Sequence, residues 1–258
     1  MKTVAFFDSG IGGLSVLEEA LCKFDAKFIF YADRENVPYG EKPREEILKY
    51  VEEAVDFLAE RGAEAVVLAC NTATSVAAKI LRQKYDFPII GMEPAAKRAL
   101  DMDSTKRVLV TATPVTVAGE KMRALIGRVD KEHLVDLLAL PKLVNFAEKG
   151  EFTGVKVETY LKEKLAPYNL KDYSALVLGC THFNYFKDTL RNLLPDNVSL
   201  VDGNEGTVRE LARRTGLQPK SLDNEVEFYY SKRNITDKKE LMRLEGYINR
   251  LKVMREIK

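Results

Sequence analysis

Apolar residues in this chain follow two patterns. In one, short unbroken runs stop abruptly at a polar residue or a glycine, as in Val4–Phe7, Phe28–Ala32, Ala65–Ala69 and residues 88–93. Runs of this kind suit strands buried on both faces, the habit of parallel sheets. In the other, apolar positions recur every three or four residues: Leu14, Leu17 and Leu21, then Ile47, Leu48, Val51, Val55 and Leu58. These predict helices, the second opened by Pro43 and closed at Gly62, with a third expected over Ala73–Lys84. The order through residue 93 is βαβαβαβ, which predicts a right-handed parallel sheet.

After residue 93 the pattern restarts. Arg107–Val110 reads as a strand, Val117–Ile126, Pro141–Lys149 and Val155–Leu165 as helices, and Tyr173–Leu178 as another strand. The stretch Ser174–His182 repeats Ala65–Ser75: an apolar strand, a cysteine, a threonine. At matching distances downstream come Gly91 in Pro-Ile-Ile-Gly and Asp202 in Leu-Val-Asp, while the strand before Asp8 matches the one before Thr111. This self-similarity predicts an internal duplication. The expected fold class is α/β, with residues 1–93 plus 204–258 as a discontinuous first domain and 94–203 as the second. The last pieces are a helix over Glu205–Arg214, a strand over Val226–Tyr230 and a helix over Asp237–Ile257. The mixed charges of that final helix suggest a solvated face.

Composition narrows the function. The 258 residues include 46% hydrophobic and 31% charged residues, globular values. No apolar run has the length of a membrane span, and the one at the N-terminus is too short for a signal peptide, so a cytoplasmic protein is expected. Forty basic residues against thirty-nine acidic ones give a net charge of +1, with no field to hold nucleic acid. Three cysteines without a Cys-x-x-Cys pair argue for reduced thiols. Cys22, close to the apolar face of its helix, reads as a buried small hydrophobe.

The chemistry concentrates at strand ends. In open α/β sheets ligands bind at the carboxyl edge, where a following helix offers free N–H groups; a thiol there, such as Cys70, is biased towards thiolate. The loop Asp8-Ser9-Gly10-Ile11-Gly12-Gly13 is neither a dinucleotide fingerprint nor a Walker loop. Asp8 alone would cap a helix as readily as serve a site. If the domains face each other, Cys70 and Cys180 reach one cleft from opposite sides with Asp8 and His182 beside them, an arrangement suited to inverting a carbon centre. One thiolate takes a proton and the opposite thiol delivers another. Cys180 with His182 could instead be the nucleophile and base of a thiol hydrolase, which leaves Cys70 unexplained. A metal site from Cys70, Cys180 and His182 lacks close ligand spacing, and none is expected. An amino-acid-binding regulatory protein would need neither thiol.

Asp8–Gly13, Pro38-Tyr39-Gly40, Ala69–Thr74 and Gly179-Cys180-Thr181-His182, in this order, resemble the glutamate racemases of the cofactor-independent aspartate/glutamate racemase superfamily. The resemblance covers about residues 4–230. It implies two flavodoxin-like, doubly wound domains related by a pseudo-two-fold axis, with the active site between them. It also implies no cofactor, a homodimer, and supply of D-glutamate for peptidoglycan; an aspartate racemase of the same superfamily is the alternative. Carried onto this chain, Cys70 deprotonates D-glutamate and Cys180 L-glutamate, assisted by Asp8 and His182. Asp8, Ser9, Tyr39, Gly40, Asn71, Thr72, Thr113, Thr116, Thr181 and His182 bind the substrate. Glu148-Lys149-Gly150 fits the family's Glu-x-Gly and puts Glu148 beside His182. Phe183-Asn184-Tyr185 stands where Tyr-Pro is common, and Leu140-Pro141 where Cys-Pro is common.

Overall fold

The computed structural model describes residues 1–92, 95–222 and 224–258. The domain boundary expected between residues 93 and 94, and the Glu93 end of the strand expected over 88–93, lie outside the described residues.

Two parallel sheets organise the chain. The first has the order Arg233–Asn234, Glu225–Tyr230, Lys27–Ala32, Thr3–Asp8, Ala65–Leu68, Ile89–Gly91. All neighbours in it are parallel except the terminal hairpin. The second has the order Val135–Ala139, Arg107–Ala112, Tyr173–Leu178, Ser199–Val201, parallel throughout. Each starts in the middle, adds its next strand on one side and the following two on the other, the flavodoxin-like order. In such sheets the ligand edge is the switch point between the first and third strands. Here those strands are Thr3–Asp8 with Ala65–Leu68, and Arg107–Ala112 with Tyr173–Leu178.

The strands form where the sequence has no polar residue to offer solvent: Val4, Ala5, Phe6 and Phe7 are wholly buried, as are Val66, Val67 and Leu68. The helix Arg44–Glu60 turns Ile47, Val51, Val55 and Leu58 inward and stops before Gly62, whose φ of 78° few other residues adopt. One core cluster runs through both halves, from Val4, Phe6 and Leu14 to Leu178, Phe183 and Leu251. The halves are therefore bonded by buried apolar surface as well as by the chain.

Several local expectations change. The helix expected over Val117–Ile126 is two, Pro114–Ala118 and Glu120–Val129, meeting at Gly119, which caps the second in extended conformation. The helices Ala95–Met102 and Lys187–Leu193 and the strand Val135–Ala139 have no counterpart in the sequence reading. Cys22 is exposed rather than buried; its thiol donates to Glu18 Oε1 at 3.2 Å.

The final helix, Lys238–Arg255, has the expected solvated face and a buried one opposite it. Asp237 caps it, accepting from the Glu240 N–H at 3.1 Å, and Leu244, Tyr247, Leu251 and Met254 are buried. Arg250 donates to the Tyr185 carbonyl at 2.8 and 3.1 Å and to both oxygens of Asp188. Arg255 pairs with Glu18 at 3.1 Å. The helix thus fastens the segment Thr181–Phe186, which follows Cys180. Among the described residues no helix is long and apolar enough to cross a membrane.

Candidate active site

Both thiols stand two residues beyond the end of equivalent strands, Cys70 after Leu68 and Cys180 after Leu178. Each caps the helical segment that follows. Both are buried, at 5% and 6% exposure, so each sits in a dry environment.

Cys70 caps the helix Asn71–Lys84. Its sulfur accepts from the Ala73 N–H at 3.4 Å and lies 3.6 Å from Ser9 Oγ. The expected bias towards thiolate does not hold here. Burial first, then the Asp8 carboxylate, push the thiol up to about 12, outweighing the Ala73 N–H and the Ser9 hydroxyl. Asp8 ends the Thr3–Asp8 strand; its Oδ2 accepts the Gly10 N–H at 2.9 Å and its Oδ1 the Thr181 hydroxyl at 3.3 Å. Burial raises its pKa to about 6, against the pull of His182 and the Gly10 N–H. A carboxyl near neutrality can exchange protons with neighbours.

Cys180 caps a 3-10 segment, Thr181–Phe186, and receives no backbone N–H. Its partner is His182, whose Nδ1 is 3.8 Å from the sulfur. On the other side His182 Nε2 meets Glu148 Oε1 at 2.7 Å, and that same oxygen accepts the Ile11 N–H at 2.7 Å. Burial opposes the charged imidazolium, but hydrogen bonds to Cys180 and Glu148 outweigh it and hold the His182 pKa well above the usual value. Glu148 feels the converse: burial raises it, while His182 and the Ile11 N–H bring it below the usual range. Both directions favour the charged pair, with the imidazole facing Cys180.

The glycine loop makes this contact possible. A Cβ on Gly10 would fall 1.9 Å from Glu148 Oε1, and one on Gly12 would fall 2.4 Å from His182 Nδ1. Only glycine lets the first half's loop lie against the second half's histidine and glutamate. Gly40 does the same elsewhere, since its Cβ would meet Thr113 Cβ at 2.6 Å.

The expected substrate-binding residues fall into groups. Thr72, Thr113 and Thr116 form a hydroxyl triangle across the two halves, with Oγ1 separations of 3.0, 3.3 and 3.1 Å. Thr113 also caps the Pro114–Ala118 helix, accepting the Thr116 N–H at 3.4 Å. Asn71 leaves a buried Oδ1 without a hydrogen-bond partner. Ser9 lies at Cys70 and Thr181 at Asp8. Tyr39 is buried beside Phe7, and its hydroxyl donates to Asp33 Oδ2 at 2.6 Å, which leaves the phenol oxygen able only to accept, as from an ammonium. Among the described residues no group of His, Cys, Asp and Glu forms a metal-ligand set.

Asp33, which the sequence marks only as the start of the loop to Lys42, has a part in the site. Besides Tyr39, it accepts from Asn36 Nδ2 at 3.0 Å and Ser231 Oγ at 2.9 Å, tying the Tyr39–Gly40 loop to the hairpin of the first sheet. Its place at the end of the Lys27–Ala32 strand, on the ligand edge, was the available signal.

The family model for Asp/Glu/hydantoin racemases matches residues 23–211. A glutamate racemase from Campylobacter curvus is 54% identical, with 99% of each chain covered. The solved glutamate racemase from Campylobacter jejuni superposes with a TM-score of 0.85 at 29% identity, covering 96% of this chain and 98% of that one. The one from Francisella tularensis, solved in complex with D-glutamate, gives 0.81 at 26% identity over 96% and 94%. Likeness on this scale takes in both sheets and both thiol-bearing edges, and it follows that the chain belongs to the Asp/Glu/hydantoin racemase family.

Proposed function

We propose that this protein is an isomerase that interconverts L- and D-glutamate by a two-base mechanism, Cys70 serving D-glutamate and Cys180 L-glutamate. The observation that carries the reading is the pair of buried thiols at equivalent strand ends of two like sheets, one beside a carboxylate and one beside an imidazolium. The names of relatives at up to 54% identity support glutamate over aspartate.

From L-glutamate, the Cys180 sulfur takes the Cα proton as the C–H electron pair moves into the adjoining carboxylate, giving an enediolate. Cys70, a thiol at rest, delivers its proton to the opposite face of Cα. The product is D-glutamate, with Cys70 now thiolate and Cys180 now thiol; the reverse reaction starts from that form. His182, oriented by Glu148, stabilises negative charge at Cys180, and Asp8 exchanges the proton of Cys70 between turnovers. A substrate ammonium near Cys70 offsets the charge that burial disfavours there.

Ser9, Asn71, Thr72, Thr113, Thr116 and Thr181, with Tyr39 and Gly40, hold the carboxylates and the ammonium. The division into residues 1–93 plus 204–258 and 94–203, a homodimer, a cytoplasmic location and supply of D-glutamate for peptidoglycan belong to the same proposal.

The test is racemisation by the purified protein, followed by circular dichroism with L-glutamate and L-aspartate in parallel and no pyridoxal phosphate added. Loss of L-glutamate ellipticity with incorporation of one solvent deuterium at Cα in D₂O is the expected result. Full activity in both single Cys→Ser variants, or an absolute cofactor requirement, refutes the two-base reading.

A further inference from the structure

We infer that Arg34 is a positioning residue for the Cys180 arm: it engages the outer oxygen of Glu148, so that the inner oxygen stays aimed at His182. The inference rests on the two-base reading and adds to it a side chain with no place in that mechanism.

Glu148 uses its two oxygens unequally. Oε1 carries both donors, the Ile11 N–H and His182 Nε2, each at 2.7 Å. Oε2 is buried and has no hydrogen-bond partner. The cation paired with Oε2 is Arg34, with Nε at 3.9 Å, a distance at which it acts by charge rather than by a directed bond. A carboxylate with one bare oxygen in a dry site is prone to protonate and to rotate. A cation at the bare oxygen opposes both.

Arg34 is itself held in place. Its guanidinium lies 4.9 Å from the ring centroid of Tyr230, which is buried, and its backbone N–H donates to the Ala32 carbonyl at 2.9 Å. It directly follows Asp33, whose carboxylate gathers Tyr39, Asn36 and Ser231. The loop that carries Tyr39 and Gly40 therefore also sets Arg34 against Glu148, linking the substrate wall of the first half to the proton arm of the second. The other titratable groups around Glu148 and His182 are Asp8 and Cys70 from the first half, Cys180 and Tyr185 on the segment of His182 itself, and Tyr230 and Tyr247 from the strand and helix packed outside. The packed helix adds two cations, Arg243 and Arg250, but Arg243 donates to the Tyr247 hydroxyl at 2.7 Å and Arg250 to the Tyr185 carbonyl and Asp188, whereas Arg34 is paired with Glu148 itself.

The chain has two histidines, His182 and the exposed His133, so ring ¹⁵N resonances of His182 can be followed directly. Their low-pH midpoint reports protonation of Glu148. In Arg34→Gln that midpoint rises by about 0.5 pH unit and kcat falls about 3- to 10-fold, with KM within about twofold. Arg34→Lys, which keeps the charge, recovers at least half of the midpoint shift. In a Glu148→Gln background Arg34→Gln costs nothing further, because the residue it acts through is already neutral. Should Arg34→Gln fail to fold, Tyr230→Leu, which removes the platform, moves the midpoint in the same direction. An unmoved midpoint in the folded variant, or a loss that multiplies in full onto Glu148→Gln, overturns the inference. The readouts are separable: failure of the wild type to racemise glutamate refutes the two-base reading, while the His182 midpoint still reports on Arg34.

Discussion

Cys70 and Cys180 occupy the same place in two like sheets, yet their surroundings are opposite. Cys70 has a fourteen-residue helix behind it, the Ala73 N–H on its sulfur and a serine at its side, but the Asp8 carboxylate and burial keep its proton on. Cys180 has a short 3-10 segment and no N–H, with the charged His182–Glu148 pair in their place. Duplication copied the position of the thiol and not its neighbours. A pair of bases that must differ by one proton needs such asymmetry, and coupling between them follows from their mutual field.

The comparison is broken most severely by removing either sulfur. Cys70→Ser and Cys180→Ser each lose racemisation by about 10³-fold or more. Because the equilibrium constant between enantiomers is unity, kcat/KM falls equally in both directions and cannot tell the arms apart. Exchange can: in D₂O, Cys180→Ser exchanges the α-hydrogen of D-glutamate faster than that of L-glutamate, and Cys70→Ser shows the reverse, read by ¹H NMR. Equal residual exchange in both variants would remove the assignment of faces.

Neutralising the flanking carboxylates sharpens the comparison next. Glu148→Gln and Asp8→Asn each lower kcat about 10- to 100-fold, but their stabilities diverge. The folded pKa of Asp8, about 6, lies above its ordinary 3.8. The stability it contributes is full below about pH 4 and is lost as pH rises through about 6. Asn escapes that loss, so Asp8→Asn melts a few degrees higher than wild type at pH 7. Glu148 is shifted the other way and contributes stability above its unfolded pKa, so Glu148→Gln melts lower. Differential scanning calorimetry at pH 4 and pH 7 checks both signs.

Smaller effects come from backbone approach and from the third thiol. Gly12→Ala forces a methyl onto His182 and costs about 1–3 kcal/mol by urea denaturation, with most activity lost. Cys22→Ala, at an exposed thiol with no part in either arm, changes stability by less than about 0.5 kcal/mol and leaves kcat unchanged.

The strands and the two thiol positions were legible because buried runs ending in Cys-Asn-Thr and Cys-Thr-His carry their own punctuation. The strand Val135–Ala139 was not, because Asp136 interrupts its apolar run. That aspartate is satisfied by Arg107 at 2.6 and 2.7 Å and by the Tyr173 hydroxyl at 2.6 Å, partners far away in sequence. The break at Gly119 was hidden by apolar spacing that continues across it. Cys22 misled because it borders the apolar stripe of its helix, while the last turn carries it past the core. The resting charge of Cys70 is not legible in the sequence for a related reason. A helix N-terminus is visible in sequence, but the desolvation that overrides it comes from packing of both halves. Asp33 and Arg34 look like ordinary loop residues until the hairpin at Ser231 and the glutamate at 148 arrive beside them.

The helix that fastens Thr181–Phe186 sets a schedule for the nascent chain. Arg250 is made 65 residues after Tyr185, whose carbonyl it grips. At about 5–20 residues per second the histidine segment waits roughly 3–13 s for its clasp, and the Glu225–Tyr230 strand of the first sheet is also still to come. The Cys180 arm is fastened only when the last helix docks, so a ribosome-bound chain arrested before residue 250 holds every catalytic side chain and still lacks the clasp on the histidine segment.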